Sequence, residues 1–191
     1  DQRDGLSHNT VLSVIEDNSG RWYCLTAAGV SVVHRLENRW HIRHMDVSDG
    51  LPSMEGIQSA SYRAPDGRIW FGTVRGIAII DPQKDIPDKI APKVHIQRLR
   101  VFEKDLPIST LPMMLTYNEN YLKFDYTGID LRAPEKIIYQ YRMIGVDKEW
   151  ITDKRNYVQY TNLDDGEYRF EVRAANTWGV WGEPESVRFT I

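Results

Sequence analysis

The chain has 191 residues, of which 41% are hydrophobic and 27% charged, and its formal net charge is −3. These proportions are typical of a soluble globular protein with one or two domains, and the charge gives no global electrostatic case for binding nucleic acid. The lone cysteine, Cys24, excludes an internal disulfide framework. No apolar run reaches the ~18 residues of a membrane span. Because the chain opens without an initiator Met, we expect a fragment or mature piece whose membrane segment lies outside it.

The first third of the chain is an internal repeat. Asp-Gly-Leu at 4–6 recurs at 49–51, and GRWYCLT at 20–26 recurs as GRIWFGT at 67–73. A period of roughly 45 residues with several short strands in each unit is typical of a β-propeller blade. The predicted strands are residues 11–16, 21–26, a stretch from 29 and 40–47 in the first unit, and residues 57–63, 69–73 and a stretch from 76 in the second.

Two blades do not close a propeller, since four or more are usual. An open pair would also leave strand edges and apolar faces uncovered. Residues 1–82 are therefore predicted to be the last two blades of a longer propeller, or a piece that pairs with a second copy of itself.

The remainder of the chain is predicted to be a linker followed by a β-sandwich. Residues 83–93 combine proline with charges of both signs and show no periodicity, which indicates a linker. In residues 94–191, seven short strands with period-2 alternation indicate an immunoglobulin- or fibronectin-like sandwich. The sequence shows no convincing helix, so the predicted class is all-β. The seven predicted strands are residues 94–102, 113–117, 121–126, 137–146, 157–160, 167–175 and 186–191.

One tyrosine of this region has a specific predicted role. Tyr168 follows the turn Asp164-Asp165-Gly166, and a tyrosine placed just after an inter-sheet connection can point its hydroxyl back at the upstream backbone. Such a tyrosine corner is found in immunoglobulin-like sandwiches. The alternative is that Tyr168 is simply a core aromatic residue on a strand.

The sequence offers no convincing catalytic or metal-binding motif. His41 and His44 have a ligand-like spacing, but residues three apart on a strand point to opposite faces. The adjacent acids Asp164 and Asp165 lie in a turn, whereas a glycosidase pair needs facing carboxylates ~5–9 Å apart. We therefore predict no catalytic residue, no metal and no cofactor.

Four tryptophans could stack on sugar rings if they were exposed. Trp22 and Trp70 are predicted to be core residues, because a blade needs large aromatics between sheets. Trp178 and Trp181 lie in a turn-rich stretch before the last strand, so they are the weak candidates for ligand binding.

The chain resembles two domain families in order. Residues 4–81 resemble two-component regulator propeller repeats in the words DGLS, SGRWYCLTAAGV and DGRIWFGTVRGI. Residues from about 112 to 191 resemble the three-Tyr (Y_Y_Y) domain that follows such propellers, in LKFDYTGID, YQYRMIGVDKEWI and YVQYTNLDDGEYRFEVRAANTWGVWG. The resemblance implies that the signature residues of the sandwich are Tyr141, Tyr160 and Tyr168, with Trp150 in the same words.

This resemblance implies a sensor and not an enzyme. It implies the periplasmic, extracytoplasmic part of an inner-membrane sensor histidine kinase that acts as a homodimer and takes a small-molecule or glycan ligand. Two alternatives stay open: a secreted carbohydrate-binding or adhesion module, and a fragment of a propeller glycosidase. The second arises because Pro65-Asp-Gly-Arg-Ile-Trp70 also resembles the Asp-box hairpin of sialidases.

Overall fold

The computed structural model describes residues 1–36, 38–102, 104–106 and 113–191. The chain divides into two compact units, Asp1–Pro87 and Asp88–Ile191. The regular structure of the described residues is β-strand, with three single-turn 3₁₀ segments. The predicted all-β class is confirmed. Residue 112, where the resemblance to the three-Tyr domain begins, lies outside the described residues.

The first unit contains two antiparallel sheets in which neighbouring strands are joined by hairpins. Their turns use glycine at positive φ, including Gly29 and Gly67 at +88°, which a side chain would strain. The four-stranded sheet consists of β1 (Val11–Glu16), β2 (Trp22–Thr26), β3 (Gly29–Leu36) and β4 (Arg39–Met45), and the three-stranded sheet of β5 (Gly56–Arg63), β6 (Ile69–Thr73) and β7 (Gly76–Ile80).

The repeated Asp-Gly-Leu word forms the same local structure twice. In each copy a 3₁₀ turn begins at an aspartate cap, Asp1 or Asp46, whose carboxylate accepts backbone N–H bonds. Each turn ends at a left-handed glycine, Gly5 at φ 104° or Gly50 at φ 96°. The repeat therefore encodes a capped turn, since Asp satisfies the free N–H groups and Gly reverses the chain.

The prediction that Trp22 is a core residue is wrong. Tyr23 and Phe71 are fully buried in the core of this unit, whereas Trp22 is 41% exposed and Trp70 is partly exposed. Successive side chains of a strand point to opposite faces, so filling the core with Tyr23 puts Trp22 on the other face. There it stacks on Trp40, with ring centroids 5.6 Å apart.

The second unit is a sandwich of a five-stranded and a four-stranded sheet. The sequence predicts seven strands, and the structure adds two three-residue strands, β9 (Lys104–Leu106) and β13 (Ile151–Asp153). The five-stranded sheet has the order β10 (Met113–Met114), β16 (Glu185–Thr190), β15 (Glu167–Ala175), β12 (Ile138–Ile144) and β13 (Ile151–Asp153), and the four-stranded sheet has the order β14 (Tyr157–Tyr160), β11 (Leu122–Ile129), β8 (Lys93–Val101) and β9 (Lys104–Leu106).

Aromatic side chains fill the space between these two sheets. Phe124 of β11 stacks on Phe170 of β15 with centroids 4.1 Å apart, and both are fully buried. Tyr126 meets Tyr139 edge-on at 5.1 Å. Such pairs add about 0.5–1.5 kcal/mol each beyond the burial of their area. The core is therefore formed by inward-facing residues of both sheets, from β8, β11 and β14 on one side and β12, β15 and β16 on the other.

Candidate functional site

Tyr168 forms the bond expected of a tyrosine corner. Its hydroxyl donates to the carbonyl oxygen of Asp164, four residues upstream, over 2.9 Å. Its ring stacks on Phe189 of β16 with centroids 5.4 Å apart. Burial, followed by the nearby charge of Asp164, raises the pKa of the Tyr168 phenol. The hydroxyl fixes the turn between β14 and β15, and the predicted corner is confirmed.

Tyr160 ties the two sheets of the sandwich together. It lies on β14 of the four-stranded sheet, and its hydroxyl donates to Asp147 Oδ2 over 2.6 Å. Asp147 follows β12 of the five-stranded sheet, and the same oxygen accepts the backbone N–H of Met143 at 2.6 Å. Burial, together with this hydrogen bond to Asp147, raises the pKa of Tyr160 above the normal tyrosine range. The bond therefore bridges the core through a neutral phenol.

Tyr141 faces the core, and its buried neighbour Tyr126 was not singled out from the sequence. Tyr141 is 6% exposed, and burial is the main cause of its raised pKa. Tyr126 is fully buried, its hydroxyl has no hydrogen-bond partner in the described part of the chain, and burial likewise raises its pKa. The alternation of β11 could have placed Tyr126 inside, since Leu122, Phe124 and Tyr126 share a face.

Trp150 lies between arginines on the outer face of the five-stranded sheet. The guanidinium carbons of Arg142 and Arg173 lie 4.4 and 4.6 Å from its ring centroid. Arg142 also forms an ion pair with Glu171 at 2.7 Å. Burial, followed by the charge of Arg142, lowers the pKa of Arg173. Trp150 thus acts in this structure as a cation–π partner that holds the sheet face together.

Of the two weak ligand-binding candidates, Trp178 is buried, whereas Trp181 is partly exposed. Trp178 is 6% exposed. Its backbone N–H and that of Val180 both donate to Asn176 Oδ1, at 2.9 and 3.1 Å, which folds the turn inward. The ring of Trp181 lies 5.0 Å from the guanidinium carbon of Arg173. A ligand-binding role therefore stays a prediction for Trp181, whereas the burial of Trp178 leaves its ring little surface for a ligand.

A buried charge cluster in the first unit was not anticipated from the sequence. The carboxylate of Asp85 accepts from Arg43 at 2.5 Å and from the Tyr23 hydroxyl at 3.0 Å. Arg21 donates to the backbone carbonyls of Asp85 and Pro82, at 2.5 and 2.6 Å. Burial and the adjacent carboxylate of Asp85 raise the pKa of Tyr23. The cluster fixes residues 82–85 to β2 and β4 of the four-stranded sheet.

A second anchor holds the opening segment of the sandwich unit. The side-chain amide of Asn176 donates to the carbonyls of Asp88 and Ile90, both at 2.9 Å. The carboxylate of Asp88 pairs with Arg132 at 3.2 Å. Asn176 is 3% exposed, so these bonds are shielded from water. The residues before β8 are thus fixed to the turn after β15.

The described residues contain neither a metal-binding cluster nor a membrane-spanning helix. Within residues 1–36, 38–102, 104–106 and 113–191, no group of three or more His, Cys, Asp or Glu side chains is placed to hold a metal ion. His41 stacks on His34, with centroids 5.8 Å apart, and Ser31 Oγ lies 3.3 Å from His44 Nδ1. Across the same described ranges, no helix has the length and apolarity to cross a membrane.

Similarity to known proteins is found for the sandwich unit by itself and for nearly the whole chain. Residues 130–191 match the family described as the Y_Y_Y domain. A curated relative, histidine kinase P4 of Formosa agariphila, is 27% identical over 97% of this chain, which spans 14% of that relative. The extracellular domain ascribed to a hybrid two component system of B. thetaiotaomicron has a TM-score of 0.82 and 23% identity over the whole chain, which covers 27% of that structure.

Tyr141, Tyr160 and Tyr168, the signature residues that the resemblance implies, all lie within the segment that matches the Y_Y_Y domain. The resemblance predicted from the sequence is confirmed, since the chain is similar along nearly its whole length to part of a histidine kinase and shares the fold of a two-component extracellular domain.

Proposed function

We propose that this chain is a non-catalytic sensing and signal-transmitting region of a transmembrane two-component regulator. It acts on the periplasmic side of the membrane, and ligand binding changes the arrangement of a homodimer whose sandwich passes that change to a kinase or other output domain. The observation that carries the proposal is the alignment of 97% of this chain with 14% of a histidine kinase. Such a relative has ample length for other domains.

Features of the sandwich support a transmitting role. The two sheets are tied through Tyr160 and Asp147, and the outer face is held by Arg142, Trp150 and Arg173. A sandwich with bonds both across its core and on its outer face moves as a rigid body. Such rigidity suits a domain that transmits a displacement. The first unit contributes a different feature, the exposed stack of Trp22 on Trp40, which leaves an apolar sheet face available for contact.

A ligand can shift a dimer equilibrium only through its different affinity for the two arrangements. Moving a population from 1:99 to 99:1 requires about 10⁴-fold tighter binding to the favoured state. The ligand is proposed to be a small molecule or a glycan, and nucleic acid is not a proposed partner. The exposed tryptophan faces and the chain's net charge of −3 are consistent with an uncharged or weakly charged ligand.

Sedimentation velocity of the purified chain, alone and with a panel of oligosaccharides, tests the proposal. A sensor role predicts that a bound oligosaccharide shifts the monomer–dimer equilibrium and is recovered intact. Binding that leaves association unchanged would favour the carbohydrate-binding or adhesion module. Shortened oligosaccharides would show a glycosidase and refute the non-catalytic role.

A further inference from the structure

We propose that the two units are connected by a two-residue joint, Ile86–Pro87, held at each end by a buried clamp. The sequence predicts an eleven-residue linker at 83–93, which would absorb motion as a tether does. The contacts within each unit reduce the free part of that segment to two residues. The role of this joint in signalling rests on the proposed function, in which the first unit senses the ligand and the sandwich passes the change to the output domain.

The first clamp lies wholly within the first unit. The chain leaves β7 of the three-stranded sheet, yet residues 82–85 are bound by side chains of the four-stranded sheet. Arg21 directly precedes β2, Tyr23 lies on β2 and Arg43 lies on β4, and together they hold both the carboxylate and the backbone carbonyl of Asp85. The side chains of Arg21, Arg43 and Asp85 are 12%, 8% and 14% exposed. Water therefore competes poorly for these bonds, and charge-assisted hydrogen bonds are the stronger class.

The second clamp lies wholly within the sandwich unit. Asn176 uses all of its hydrogen-bonding capacity at once: its amide N–H groups hold the carbonyls of Asp88 and Ile90, while its oxygen shapes the following turn. Two residues further on, the backbone of Pro92 packs against Gly182, where any Cβ would collide with the Pro92 carbonyl oxygen. Gly182 also donates its backbone N–H to the carbonyl of Ala174 at 2.8 Å. The start of the sandwich is thus fixed from Asp88 to β8.

Between the clamps lie Ile86, which is 66% exposed, and Pro87. Proline fixes its own φ near −65° and restricts the preceding residue to extended conformations. The joint therefore has few soft dihedrals, and a displacement of the four-stranded sheet reaches the sandwich with little slack. The function of the clamps is to convert motion of the sensing unit into motion of the sandwich.

Limited trypsin digestion of the intact chain tests the joint, because a lysine lies beside each clamp. Lys84 adjoins Asp85, and Lys89 lies between the two carbonyls held by Asn176. Cleavage of such sites follows the population of the locally open form. Relative to the same substitution in a free peptide of residues 81–93, Asp85→Ala should speed cleavage after Lys84 about tenfold or more and leave Lys89 unchanged, since the two hydrogen bonds from Arg43 and Tyr23 to its carboxylate are lost. Asn176→Ala should do the reverse.

Asp66→Asn is the matched control, because Asp66 forms an exposed ion pair with Arg68 far from either lysine in sequence. It should change neither site. Cleavage of the unsubstituted chain at both lysines as fast as in a free peptide of residues 81–93 would overturn the joint, as would equal effects of the two variants on both sites. If Asp85→Ala accelerates cleavage at every site, the substitution has destabilised the whole unit. Tyr23→Phe, which removes one hydrogen bond to Asp85, is then the test. It should accelerate cleavage after Lys84 and leave cleavage after Lys89 unchanged.

The signalling role is tested separately in the full-length regulator. Inserting Gly-Ser between Ile86 and Pro87 doubles a two-residue joint but barely lengthens an eleven-residue tether. The insertion should lower the ligand response of the output domain several-fold, whereas Gly-Ser inserted in the exposed turn at Asn118 should not. An unchanged response would overturn the coupling role. Absence of any response in the unsubstituted regulator would count against the proposed sensor function instead, with the digestion pattern still standing.

Discussion

The bond from Tyr160 to Asp147 gives the sharpest test of how the sandwich is held together. Tyr160→Phe removes a 2.6 Å hydrogen bond to a carboxylate at a site where Tyr160 is 9% exposed. Hydrogen bonds to charged groups contribute about 1.5–3 kcal/mol. Because Asp147 keeps the backbone N–H of Met143, the expected loss is about 2 kcal/mol in the free energy of unfolding. For a unit of about 100 residues this lowers Tm by roughly 8–16 °C.

Urea unfolding followed by tyrosine and tryptophan fluorescence measures this loss, with Tyr117→Phe as the control because Tyr117 is 68% exposed. A double-mutant cycle with Asp147→Ala should give a coupling energy of at least about 1 kcal/mol, since the two groups are in direct contact. A Tyr160→Phe cost within about 0.5 kcal/mol of the control, or additive single variants, would refute the view that this bond ties the sheets.

Three further outcomes are expected. Tyr168→Phe should cost about 1 kcal/mol, the value of one neutral hydrogen bond, and an unchanged urea midpoint would contradict the corner's contribution. The phenols of Tyr23, Tyr126 and Tyr160 have pKa values raised above the reference of 10.0, so their stabilisation is complete below pH ~10 and is lost as pH rises; absorbance at 295 nm should show a fraction of tyrosines that ionise only on unfolding. Burial alone would raise the pKa of Asp17, but hydrogen bonds from Arg21 and Ser19 outweigh it and lower the pKa below 3.8. The stability that the ionised carboxylate contributes is therefore present above pH 3.8 and is lost as the pH falls further. Asp17→Asn should make the free energy of unfolding depend less on pH in this acid range.

Most strands could be predicted because their alternation is local. β14 and β15 have the predicted bounds, 157–160 and 167–175, since their inward residues are large and their flanking turns contain Asn, Asp or Gly. The missed strands, β9 and β13, are three-residue strands at sheet edges, too short to show a period. On β8 the period itself changes: the register shifts opposite Asp125 and Tyr126, so Leu99 is buried although simple alternation from Val94 places it outside.

The contacts of the functional residues could be predicted where the two partners are close in sequence, and could not be predicted where they are distant. The partner of Tyr168 is four residues away, so a sequence motif could indicate it. The partner of Tyr160 lies 13 residues away across the sandwich, and Asp85 meets Arg43 at a separation of 42 residues. No local pattern encodes such pairings, because they arise only once sheets stack. The face of Trp22 was mistaken for a related reason: alternation defines two faces, and packing decides which one is covered.

The position of β16 has a mechanical consequence. This last strand, Glu185–Thr190, lies inside its sheet, parallel to β10 on one side and antiparallel to β15 on the other. Its end is also closed by a reciprocal pair of backbone hydrogen bonds between Ile191 and Gly166, at 3.0 and 3.1 Å. A pull along β16 would load both ladders in shear, so bonds on its two sides would have to break together, whereas an edge strand pulled in the same way has bonds on one side only. Force applied along this last strand would therefore be shared between its two neighbouring strands.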